Sequence, residues 1–134
     1  MVIFLVLLLA CCGYALARGA REERAAALIM FTGCVATWAV NSPLATRYAA
    51  VEPAILAVDL AMFALFVAVA LRSERYWPLW LSALQLLAVL AHGARFADPD
   101  MMRNGYGFVM AVWSYPQLVL IAIVTRIGRK RPVF

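Results

Sequence analysis

The sequence predicts an all-α integral membrane protein, a bundle of five transmembrane helices with the N-terminus outside and the C-terminus in the cytoplasm. Three observations predict it. Hydrophobic residues make up 66% of the 134 positions, with a mean hydropathy of +0.88, whereas soluble chains run at about 45–50%. Charged residues are only 14% and gather in short clusters between long apolar runs, which is how membrane spans are separated. None of the runs alternates apolar and polar residues as a barrel strand would. Helices are then the remaining way to satisfy backbone polar groups in lipid.

The elements follow in chain order within a single transmembrane domain, 1–134, with helices at about 1–17, 25–40, 53–71, 77–94 and 106–125. The first run, Met1 to Ala17, ends at the polar stretch Arg18 to Arg24. The second closes at Asn41-Ser42-Pro43, because proline cannot continue the hydrogen-bonded ladder. The third opens on Pro53, a favoured first-turn residue, and ends at the hydrophilic turn Arg72 to Arg75. The fourth is followed by Asp98-Pro99-Asp100 and Asn104-Gly105, both turn signals. The fifth precedes a basic tail, Arg126 to Phe134. A bilayer core needs about 17–25 helical residues, so the first two runs are short or tilted.

Orientation follows from counting Lys and Arg. With the N-terminus outside, the inner segments hold nine (Arg18, Arg21, Arg24, Arg72, Arg75, Arg126, Arg129, Lys130, Arg131) and the outer segments three (Arg47, Arg95, Arg103). Positive charge favours the cytoplasmic side, and the expected location is a bacterial inner membrane. Ala15-Leu16-Ala17 also resembles a signal cleavage site, which would leave four helices. No Lys or Arg precedes that apolar stretch, and cleavage would put the arginine-rich segments outside, so five is the expectation.

The net charge of +5 is explained by bases flanking apolar segments, where they meet anionic lipid. Nucleic acid is not an expected partner. Cys11, Cys12 and Cys34 lie inside apolar runs and the single histidine is His92. A structural zinc site needs about four such ligands, so neither a metal nor a cofactor is expected.

The polar residues inside the spans carry the functional reading. Asp59 lies six residues into the third run, about 9 Å deep at 1.5 Å per residue, where a carboxylate costs on the order of 3 kcal/mol on insertion scales. It is a proton or cation site, or a buried acid bonded to a neighbouring helix. Glu52 stands two helical turns before it on the same face, with Arg47 nearby. The fourth run carries a stripe of Ser82, Gln85, His92 and Arg95 at helical spacing. His92 and Asp59 fall at similar depth, and the two are expected to meet across the third and fourth helices, where carboxylate and imidazolium would stabilise each other. Gln85 and Gln117 share a mid-membrane height that suits an interhelical hydrogen bond. Pro116 is expected to kink the fifth helix. Gly33 with Thr37, Ala57 with Ala61, and Ala64 with Ala68 offer close helix approach, while Trp38, Tyr48, Tyr76, Trp77 and Tyr106 fit an aromatic belt.

The expected function is that of a non-enzymatic subunit of a membrane complex or homo-oligomer, its partners being the bilayer and other membrane chains or copies of itself. The alternative is a small oligomeric channel or transporter for protons or cations, or a phage-type pore, built on Asp59 and His92 with Glu52, Arg95, Gln85 and Gln117. An enzyme acting on lipid or quinone through Asp59 and His92 is the least favoured reading.

Overall fold

The computed structural model describes residues 2–40, 53–98, 105, 108 and 112–128. Its regular elements are five α-helices: α1 (Val2–Arg18), α2 (Arg21–Val40), α3 (Pro53–Arg72), α4 (Trp77–Ala97) and α5 (Ser114–Gly128). Consecutive helices pack side by side, α1 also packs on α5, and α2 touches α5 across the middle. Three helices are long and apolar enough to cross a membrane, Arg21–Val40, Pro53–Arg72 and Trp77–Arg95, and the apolar α1 and α5 are shorter.

Each helix buries one stripe at the three- and four-residue spacing that lines up positions on an α-helix. Leu8, Cys11, Cys12 and Ala15 do so on α1, Ala26, Ala27 and Met30 on α2, Met62 and Phe66 on α3, Trp77 and Leu81 on α4, and Leu118, Ile121 and Val124 on α5. The opposite faces expose large apolar side chains on all five helices, among them Ile3, Leu9, Val35, Leu65, Trp80 and Ile123. An aqueous protein rarely leaves such continuous apolar surface bare; lipid tails are its natural solvent. In that solvent, helices associate through tight packing rather than through water exclusion. Gly33 illustrates this: a Cβ there would run into the side chain of Met62 on α3.

The structure corrects several expectations. The second helix begins at Arg21 rather than near residue 25, since Glu22 and Glu23 in its first turn complement the partial positive charge of a helix N-terminus. The fourth helix runs on to Ala97. Trp77, expected in an aromatic belt, is buried in the core, whereas Trp38, Tyr76 and Trp80 are exposed. Ala57, Ala61 and Ala64 face outward, so these small residues bring no helices of the bundle together. Tyr48, Tyr106 and the first turns expected of the fifth helix lie outside the described residues. Val112 is helical, Trp113 leaves the helical pattern, and Pro116 stands in the first turn of α5.

Candidate functional site

Helices α3 and α4 run antiparallel, joined by the turn Ser73 to Tyr76. Asp59 near the start of α3 therefore falls level with the last two turns of α4. There His92 Nε2 lies within hydrogen-bond distance of Asp59 Oδ2, at 3.1 Å. Two turns earlier on α4, Gln85 Nε2 reaches the same residue from the other side, at 3.1 Å from Asp59 Oδ1 and 3.3 Å from its backbone carbonyl oxygen. Gln117 Nε2 on α5 donates in turn to Gln85 Oε1 at 2.8 Å. The two pairs expected separately, Asp59 with His92 and Gln85 with Gln117, are thus one chain across three helices. Both amides donate in the direction of Asp59, whose two side-chain oxygens are each engaged.

Burial supports this arrangement. His92, Gln85, Gln117, Ser82 and Arg95 are buried, and Asp59 keeps 13% of its side chain accessible. Ser82 Oγ donates to Pro78 O at 2.9 Å within its own helix, so it stands beside the chain without joining it. Arg95 lies one turn beyond His92. Glu52, with Arg47, lies outside the described residues. Among the described residues, no three His, Cys, Asp or Glu side chains converge to hold a metal ion.

Loss of individual members should be graded. His92→Leu breaks the contact with Asp59 Oδ2 and is expected to cost about 1–3 kcal/mol, the range for a buried polar atom that loses its partner. Gln117→Leu removes a neutral interhelical bond, worth about 0.6 kcal/mol on average in membrane bundles. SDS titration of the purified variants in micelles measures both; a Gln117 variant weaker than the His92 variant contradicts this geometry.

A second polar cluster, at the opposite end, is not among the residues singled out from sequence. Glu23 in the first turn of α2 is 1% exposed and pairs with Arg75 Nη1 in the α3–α4 turn. Arg75 is itself positioned by its backbone N–H donating to Ser73 Oγ at 3.1 Å. Glu23 Oε2 and Trp77 Nε1 are buried with no hydrogen-bond partner among the described residues. Beside the ion pair is a pocket of about 230 Å³ lined by Arg18, Gly19, Ala20, Glu23, Arg75, Thr125 and Gly128. Gly128 closes against the pair so tightly that a Cβ would lie 3.3 Å from Glu23 Oε1 and 3.4 Å from Arg75 Nη1. The sequence does hold a signal for this cluster. Glu23 heads the register continued by Ala26, Ala27, Met30 and Gly33, so an acid begins the buried stripe. Between the two clusters, Phe66, Leu81, Leu118 and Ile121 are fully buried and apolar.

No known protein family, curated protein or solved structure matches the chain.

Proposed function

We propose that the chain is a multi-pass membrane protein that crosses the bilayer five times, N-terminus out and C-terminus in, and handles protons or small cations through Asp59 and His92. The apolar outer faces of all five helices, the core contributed by α1 and α5, and the nine-to-three bias of Lys and Arg support the placement. The observation that carries the function is the contact between Asp59, a partly buried acid in an apolar helix, and the chain's single histidine. Ionisable residues inside membrane spans commonly mark ion and proton pathways. His92 bonds Asp59 directly, Asp59 keeps part of its carboxyl group accessible, and Gln85 and Gln117 hold the acid in place. The apolar block below Gln117 means that passage to the other side requires the helices to shift.

Purified protein in liposomes, with a pH-sensitive dye inside and a potassium diffusion potential as driving force, tests the reading. The parent is expected to pass protons, and Asp59→Asn, which keeps the side chain's size and one acceptor, to pass about a tenth as many or fewer. A parent that passes neither protons nor Na⁺ or K⁺ overturns it. A second reading, the non-enzymatic subunit of a complex or homo-oligomer, is favoured by one observation: the side chains of the polar chain bond one another across three helices, as an interhelical latch requires. Silent liposomes together with a stable larger assembly in mild detergent would select it.

A further inference from the structure

We propose that the pocket at the arginine-rich end binds a zwitterionic group that joins a primary ammonium to a phosphate, supplied as the headgroup of an ethanolamine phospholipid. Three features of the pocket define that chemistry. First, Glu23 is 1% exposed and its Oε2 is left without a donor among the described residues, although a buried carboxylate oxygen is costly to leave unpaired. The occupant must therefore bring N–H or O–H groups. Second, among the described residues the titratable groups facing the pocket are Arg18, Arg75 and Glu23, a net charge of +1 from two cations and one anion. A simple cation would meet that excess positive charge, and a simple anion would leave Oε2 unpaired. A zwitterion resolves both: its ammonium donates to Glu23 Oε2 and its phosphate lies toward Arg18. Third, about 230 Å³ exceeds the roughly 30 Å³ that one water occupies in the liquid several times over.

The position selects a lipid as the source. The pocket is ringed by the C-terminal ends of α1 and α5, the N-terminal end of α2 and the α3–α4 turn. All of these lie at the end of the bundle where Arg18, Arg21, Arg24, Arg72, Arg75 and Arg126 gather. Arg18 and Ala20 on its rim are exposed. Such a belt of bases at the end of apolar helices sits at headgroup level in a bilayer. The proposal rests on this membrane placement and is independent of proton handling by Asp59.

The test uses the full chain in a non-ionic detergent, with thermal unfolding followed as short-chain lipids are added. Phosphatidylethanolamine is expected to raise the midpoint saturably and to bind about tenfold tighter than phosphatidylcholine, whose quaternary ammonium has no N–H, or phosphatidylglycerol, which has no ammonium. Glu23→Gln should abolish the preference for ethanolamine over choline. Because that variant also touches the ion pair, Arg18→Ala, at an exposed rim position, serves as a second probe and should weaken ethanolamine binding without lowering the lipid-free midpoint. Equal response to the ethanolamine and choline lipids overturns the proposal, as does a Glu23→Gln protein that keeps the preference. Soluble O-phosphoethanolamine that displaces the lipid at equal concentration overturns the lipid as source.

Discussion

Arg75→Ala is expected to destabilise the protein by about 3–5 kcal/mol, the largest loss of any single substitution considered, because it leaves a buried carboxylate without its counter-charge. Glu23 is 1% exposed and Arg75 16%, so water cannot readily replace the guanidinium. The loss belongs to the stranded charge and not to the strength of the pair. Removing both partners by Glu23→Leu and Arg75→Leu should therefore recover most of the stability, since apolar replacement of a buried pair is often neutral. SDS titration of the three proteins in micelles gives the comparison. A double variant as unstable as Arg75→Ala would mean that the pair itself, and not the unpaired acid, holds this end together.

Gly19→Val is expected to cost about 1–3 kcal/mol or more from overpacking, and to distort the adjoining pocket. The glycine is not there for its backbone freedom, since its φ lies outside the left-handed region. It is there for space. Its N–H donates to Ala15 O at 2.7 Å, continuing the α1 pattern into the turn. A Cβ would fall inside contact distance of that same carbonyl oxygen and 2.7 Å from Glu23 Cβ. Neither obstacle is the far end of a flexible side chain, so backbone must move. A drop in thermal midpoint with loss of lipid-dependent stabilisation is the predicted outcome. Unchanged stability would show that the α1–α2 turn relaxes freely.

How much of this was legible in the sequence depended on background. Asp59, His92, Gln85 and Gln117 stand out because each is polar in an apolar run, where burial is expensive. Counting residues from the helix ends gave their heights, and equal heights on antiparallel helices gave the partners. Linking the two pairs needed side-chain reach: Gln85 extends toward Asp59 with one end and Gln117 with the other, which spacing alone does not show. Glu23 and Arg75 were hidden by their neighbours. Both sit in clusters of charge that resemble ordinary solvated turns, and only the docking of the α3–α4 turn against the start of α2 buries the acid. Trp77 misled for a related reason. A tryptophan at a helix end suits the membrane interface, but this one is turned inward by the α4 register that also buries Leu81 and Gln85.

The two-residue elbow Gly19-Ala20 between α1 and α2 also constrains how the chain can be threaded. Two residues span at most about 7 Å, far short of the roughly 30 Å of hydrocarbon in a bilayer. The C-terminal end of α1 and the N-terminal end of α2 must therefore stay on one side of any bilayer the two helices cross, and the charges clustered at the bend share that side.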